Sequence, residues 1–246
     1  MKIIGIIPSR YASTRFPAKS LAVIKGKSMI QRVYEQAQQS SALNDVIVAT
    51  DHSEIYDHVK KFGGEVCMTR ADHVSGTDRC HEALMLQRKK YDYVINIQGD
   101  EPFIQPQQID LLAGKLDGVT EIATLIKALT TQEQLFSATI VKVVCNNVKE
   151  ALYFSRSAIP HIRNTPEKDW IGKHKFYKHI GMYAYRTDVL ERLHRLSVSS
   201  LEKAESLEQL RWLENGFRIS VAETTTETLG IDTPEDLEKA LQILKS

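Results

Sequence analysis

Arg10, Arg15 and Lys19 lie within a ten-residue stretch that also carries the hydroxyls of Ser13 and Thr14. Guanidinium forks and an ammonium supply positive charge, while hydroxyls and backbone N–H groups serve the remaining oxygens. A triphosphate needs this mixture. A solvated surface loop is the plainer use of the same residues, but their place directly after the first apolar run, Ile3–Ile7, favours anion binding. Known phosphate loops do not fit, since no GxGxxG follows that run. Gly26-Lys27-Ser28 resembles the end of a Walker A motif, yet Leu21 stands where its first glycine belongs, so 26–28 reads as a turn into the next helix.

Carboxylates supply the opposite sign. Asn96-Ile-Gln-Gly-Asp-Glu-Pro102 closes another apolar run, so Asp100 and Glu101 emerge at its end with Gly99 permitting a tight backbone. Magnesium suits one or two protein carboxylates together with phosphate oxygens; a turn in which Asp100 bonds its own backbone is the alternative. Asp232 precedes Thr233-Pro-Glu-Asp236, a helix-start signal; its carboxylate is either left over for a metal or simply part of that helix start. Ser75-Gly-Thr-Asp-Arg79 offers small residues that let backbone approach a base or ribose, with Thr77 as hydrogen-bonding group or simply as an N-cap. Strict alternation puts His179, Gly181 and Tyr183 on one face of a strand, and Glu208 and Arg211 are spaced for a helical ion pair. No Ser/His/Asp or Cys/His nucleophile system stands out.

The elements that must position these groups alternate from the start. Ile3–Ile7, Val46–Ala49, Glu65–Met68, Tyr93–Ile97, Ile122–Ile126 and Val141–Val144 read as strands. Between them, Met29, Ile30, Val33, Tyr34 and Ala37 line one helix; Ile55, Val59 and Phe62 line a second; 77–87 and 109–116 give two more. This βαβα rhythm predicts an α/β fold with a mostly parallel central sheet flanked by helices, whose ligands sit beyond the strands' carboxyl ends. Residues 151–186 read as a small antiparallel excursion, a hairpin for subunit contact or a lid. A helix near 206–214, a strand at 217–221 and a last helix burying Leu237, Ala240, Leu241 and Leu244 complete one domain over 1–246.

Composition narrows the class. The 246 residues carry 32 Lys+Arg against 31 Asp+Glu, a net charge of +1 that gives no basic surplus for nucleic acid. Cys67, Cys80 and Cys145 show no metal or disulfide spacing. The apolar run near the N-terminus is too short for a signal-peptide core, and no stretch approaches a membrane span. A reduced, cytoplasmic protein is expected.

Eight stretches in order resemble the 3-deoxy-manno-octulosonate cytidylyltransferases, or CMP-Kdo synthetases: residues 7–21, 48–51, 75–79, 96–102, 151–160, 177–185, 206–216 and 230–237. The first departs from the usual pattern, with Ala18 for glycine, Ser20 for proline and Ser9 for alanine. The resemblance implies a GT-A-like nucleotide-sugar synthetase that joins CTP and Kdo into CMP-Kdo and pyrophosphate for lipopolysaccharide assembly. It implies that Arg10, Ser13, Arg15 and Lys19 hold the triphosphate and that Ser75, Thr77 and Arg79 lie near the nucleotide. It further implies that Asp100 and Asp232 ligate Mg²⁺, with Lys19 completing the catalytic group. Gln98, Arg156, His179, Tyr183 and Glu208 would surround the sugar acid, in a homodimer built around the excursion. Other acidic sugars, sialic acid or 8-amino-Kdo, and a nucleotide sensor without turnover are the competing readings.

Overall fold

In the computed structural model, which describes residues 1–12, 16–227 and 230–243 (Ile243 by its backbone), packing divides the chain into two units. They are Met1–Ala113 with Glu227–Ser246, and Gly114–Thr226. The first begins with β1 (Ile3–Ser9), then β2 (Val23–Ile24), β3 (Lys27–Ser28), α1 (Met29–Gln38), β4 (Asp45–Thr50) and α2 (Ser53–Lys61). β5 (Val66–Met68), α3 (Gly76–Met85), β6 (Tyr93–Asn96) and α4 (Pro106–Ala113) follow. The second unit holds β7 (Ile122–Ala128), α5 (Gln132–Phe136), β8 (Lys142–Cys145), β9 (Ala151–Ser155) and α6 (Trp170–Lys173). It continues with β10 (Tyr177–Arg186), α7 (Thr187–His194), α8 (Ser200–Glu205), α9 (Glu208–Glu214) and β11 (Ile219–Glu223). The last helix, α10 (Pro234–Ile243), belongs to the first unit.

In the first unit β6, β1, β4 and β5 lie side by side and all pair in parallel. Parallel strands covered on both faces must be apolar throughout, and β1 is: Ile3, Ile4, Ile6 and Ile7 are all buried. Pro8 does not end this strand as its type suggests, because β1 pairs with β6 only through Ile6 and continues against β4 through Ser9. The proline's missing N–H therefore falls where the ladder has one side left. α1 follows the expected stripe, with Met29, Ile30, Val33, Tyr34 and Ala37 buried and Ser28 capping it by accepting the Gln31 N–H. Residues 26–28 are not a plain turn into that helix. β2 and β3 pair antiparallel, and Lys25 and Gly26 at φ 45° and 80° make the two-residue reversal. α10 buries Ala240 against Ile24, Met29 and Ile231, with Leu237 and Leu241 partly covered; Leu244 lies outside the described residues.

The second unit is mostly antiparallel. β11 runs parallel to β7, but β10 pairs antiparallel with both β7 and β8, and β8 antiparallel with β9. The strands at either end of 151–186 are thus not a hairpin with each other. The hairpin is β8–β9, turned at Asn146, whose Oδ1 accepts the N–H groups of Val148 and Glu150 while Lys149 sits at φ 62°. Strict alternation also fails in β10, where Ile180 opposes Leu125 and Tyr183 opposes Thr124, leaving Gly181 and Met182 as a bulge. Among the described residues no helix is long and apolar enough to cross a membrane.

Candidate active site

A cleft of about 310 Å³ opens at the carboxyl ends of β1 and β6, lined by Ser9, Arg10, Lys19, Ser75, Gln98, Asp100 and Asp232 among others. Its position follows from the sheet: parallel strands leave their loops at one edge, and that edge gathers residues distant in sequence. The approach of the 98–100 loop to β1 requires Gly99, since a Cβ there would stand 2.8 Å from the Pro8 carbonyl oxygen. That closeness delivers Asp100.

Lys19 is the hub. It opens a 3-10 turn (Lys19–Leu21) after Ala18, and its Nζ donates to Asp100 Oδ2 at 2.8 Å, Asp232 Oδ1 at 3.0 Å and the Ile231 carbonyl at 3.2 Å. The lysine side chain is 15% exposed, against 32% for Asp100 and 48% for Asp232. Burial is the largest single influence on the ammonium and would lower its pKa. The fields and hydrogen bonds of the two carboxylates outweigh it, so the pKa is raised above its ordinary value and Lys19 is a cation.

Asp232 reaches the cleft because its neighbours take over the helix start. The Thr233 hydroxyl accepts the Asp236 N–H, and the Asp236 carboxylate accepts the N–H groups of Asp232 and Thr233. The Ile231 N–H, donating to the Asp100 carbonyl, ties the segment to the 98–100 loop. Among the described residues no group of three or more His, Cys, Asp or Glu converges, so Asp100 and Asp232 are a two-carboxylate arrangement.

Arg10 is exposed at the cleft, while Ser13 and Arg15 lie outside the described residues. Ser75, rather than Thr77, is the N-cap of α3: its Oγ accepts the Asp78 N–H and donates to Asp78 Oδ2. Thr77 is buried in the first turn. Arg79 lines the cleft, but its guanidinium donates to Thr69 Oγ1, the Arg70 carbonyl and Asp51 Oδ2. Sequence reasoning passed over His73, which also lines the cleft. Its side chain is 4% exposed and its Nε2 meets the Glu82 carboxylate, which also accepts the Arg70 N–H. Burial would raise the Glu82 pKa, and those two hydrogen bonds reverse the effect to leave it lowered. Nothing in the local pattern announces this pair, because His73 precedes α3 and Glu82 lies two turns inside it.

In the second unit, His179 and Tyr183 stand together, with Glu208 close enough to act on the Tyr183 hydroxyl. His179 and Tyr183 stay on one face despite the bulge, with ring centroids 5.1 Å apart, and Tyr183 meets Trp212 of α9 edge-on at 4.9 Å. The Thr124 hydroxyl donates to the Met182 carbonyl at 2.8 Å, so His179 Nε2, 3.0 Å away, donates to the Thr124 oxygen. Burial pushes the His179 pKa down to about 3, making a neutral imidazole. Burial chiefly, then Tyr185 and Glu208, raise the Tyr183 pKa well above its ordinary value. The Tyr183 hydroxyl and Trp212 Nε1 are buried with no hydrogen-bond partner among the described residues. The Arg211 fork grips Glu202, with Nε at 2.7 Å. Arg156 donates from Nε to the Glu205 carbonyl and from Nη1 to the Ala138 carbonyl, and its own N–H is held by the Glu205 carboxylate.

A family model described as cytidylyltransferase matches residues 4–219. A 3-deoxy-manno-octulosonate cytidylyltransferase of Cytophaga hutchinsonii is 55% identical over 238 residues, 96% of this chain and 95% of that protein. One from Bacteroides thetaiotaomicron is 55% identical over 250 residues, 100% of this chain and 99% of that protein. A solved structure of a CMP:2-keto-3-deoxy-manno-octonic acid synthetase complexed with CTP superposes with a TM-score of 0.92 at 43% identity. It covers 100% of this chain and 99% of that one.

Proposed function

This chain belongs to the cytidylyltransferase family, and from that membership we propose that it transfers CMP from CTP to the anomeric hydroxyl of Kdo, releasing pyrophosphate. The observation that carries this reading is the meeting of Lys19 with Asp100 and Asp232 in a cleft that also presents Arg10. Both signs of charge stand at one sheet edge, as a triphosphate with a divalent cation requires. In the reaction the sugar's anomeric oxygen bonds to the α-phosphorus and loses its proton, while the bond to the β-phosphate oxygen breaks and pyrophosphate leaves with the electron pair.

Magnesium fits the donors, which are two hard carboxylate oxygens already sharing one cation, the Lys19 ammonium. Asp100 and Asp232 would hold it, and when bound it would supply positive charge to the phosphoryl oxygens. The chain's own contribution is placement and charge. Arg10 and Lys19, with Ser13 and Arg15, are our assignments for the triphosphate, and Ser75, Thr77 and Arg79 for the nucleotide's surroundings. For the sugar acid we assign Gln98, Arg156, His179, Tyr183 and Glu208. A guanidinium suits its carboxylate, a neutral imidazole and an unspent phenol suit its hydroxyls, and Glu208 accepts from them. A single nucleotidyltransferase domain is supported by the unbroken family match over 4–219. We assign it to the cytoplasm, where CTP would be available. A homodimer is consistent with exposed Val148 and Leu152 at the β8–β9 hairpin, and sedimentation would measure it.

The deciding experiment is pyrophosphate release from four nucleoside triphosphates against Kdo, 8-amino-Kdo and sialic acid. CTP with Kdo is expected to dominate. Turnover led by another triphosphate or another acid would overturn the reading, and no turnover with any pair would leave only nucleotide binding.

A further inference from the structure

We propose that Asp51 is the positioning residue of the phosphate loop, acting through the Tyr11 peptide and tied to α3 by Arg79. It rests on the reading that Arg10 and Lys19 handle the nucleotide's phosphates. Asp51 follows β4 directly, its side chain 10% exposed beside an Arg79 side chain at 4%. Its two carboxylate oxygens serve different masters. Oδ1 accepts the Tyr11 N–H at 3.1 Å, and Oδ2 accepts Arg79 Nη2 at 3.0 Å. The Tyr11 carbonyl in turn accepts the Ala18 N–H at 3.1 Å. Both ends of the 11–18 segment therefore meet on one residue, with Arg10 immediately before it and Lys19 immediately after it. The Tyr11 ring stacks on His52 with centroids 3.7 Å apart and planes at 16°, so the neck is held at backbone and side chain alike.

Arg79 gives the strut its second foot. Its other arm donates to Thr69 Oγ1 at 2.6 Å and the Arg70 carbonyl at 3.2 Å, and the Thr69 hydroxyl and N–H both donate to the Thr50 carbonyl. Arg79 stands on α3, whose Ser75 and Gly76 line the cleft. One buried carboxylate thus fixes the loop that carries Arg10 and Lys19 relative to the helix start across the cleft. A buried ion pair contributes little net stability after desolvation, and here one of its oxygens is spent on backbone beside a cationic cleft residue. Arg79 accordingly acts on the nucleotide through Asp51.

The test is calorimetric titration of wild type, Asp51→Asn and His52→Asn with CTP, inorganic tripolyphosphate and cytidine. The isosteric amide keeps an acceptor for the Tyr11 N–H but cannot satisfy Arg79 with an anionic oxygen. CTP and tripolyphosphate affinities should fall together by about tenfold or more, with cytidine binding unchanged. His52→Asn keeps a helix-capping side chain for α2 and removes the stacking ring; it should shift the same two probes by roughly threefold, and it decides the matter if Asp51→Asn fails to fold. Unchanged tripolyphosphate affinity in a folded Asp51→Asn, or a loss shared equally by cytidine, overturns the proposal. Failure of the wild type itself to bind tripolyphosphate would instead remove the phosphate-loop reading beneath it.

Discussion

Replacing Lys19 with methionine tests the charge arrangement of the cleft without relying on turnover. The ammonium bridges Asp100 at 2.8 Å and Asp232 at 3.0 Å, and its removal leaves two carboxylates facing an apolar tip. A charge-assisted hydrogen bond contributes about 1.5–3 kcal/mol when shielded and about 0–1 kcal/mol when solvent screens it. Asp100, at 32% exposure, belongs near the bottom of the first range, and Asp232, at 48%, within the second. The sum is about 2 kcal/mol, which for a chain of this size corresponds to roughly 4–8 °C in melting temperature. Scanning calorimetry in EDTA should register that drop for Lys19→Met. Magnesium added without nucleotide should then raise the variant's melting temperature more than the wild type's, because no ammonium competes for the carboxylates. A variant melting within a degree of wild type in EDTA would refute the electrostatic reasoning. Equal magnesium responses would show that the lysine does not occupy the metal's place.

His179 should make stability fall with acid. Its folded pKa, about 3, lies below the ordinary value of 6.5, so the unfolded chain binds the proton first and stability declines from pH 6.5 downward until the folded pKa is reached. At pH 5 the loss is about 2 kcal/mol. Denaturant melts of His179→Gln at pH 7 and pH 5 should lack that component, and an unchanged pH slope would contradict the neutral buried imidazole. Ala18 occupies φ 53°, in the left-handed region that favours glycine. Ala18→Gly should therefore gain about 0.5–1 kcal/mol in a thermal melt, the relieved strain exceeding glycine's greater unfolded-state entropy; a loss of stability would count against strain at that residue.

How much of this was legible depends on whether a feature is carried by local pattern or by contacts distant in sequence. Ile3–Ile7 and the stripe from Met29 to Ala37 could be read because burial imposes a period on the chain, and the strand-end rule then located Lys19 and Asp100 at one edge. Asp232 was only half legible: its place before Thr233 and Asp236, which start the helix, left a metal ligand and a bare helix-start signal both open, and only the resemblance chose between them. The β8–β9 hairpin and the bulge at Gly181 were misread, since a turn at Asn146 and two extra residues in β10 alter pairing without disturbing composition. His73–Glu82 and Asp51–Arg79 were invisible, each joining residues whose spacing has no meaning until α3 packs beside its strand.

The departures in the first motif behave differently once the fold is known. Ser9 and Ser20 are two of the small-residue departures, and the Ser9 hydroxyl donates to Ser20 Oγ at 2.7 Å with both side chains buried. A buried hydroxyl is costly alone and nearly neutral with a mate, so either serine by itself would be a liability and the two together are a matched substitution. The bond joins the last residue of β1 to the turn that opens at Lys19, bracing from the strand side the segment whose neck Asp51 holds from the other. Ala18 lacks such a mate: its cost is torsional, and no side chain can relieve it from outside. The loop's strain and its bracing thus sit on adjacent turns, with Lys19 between them.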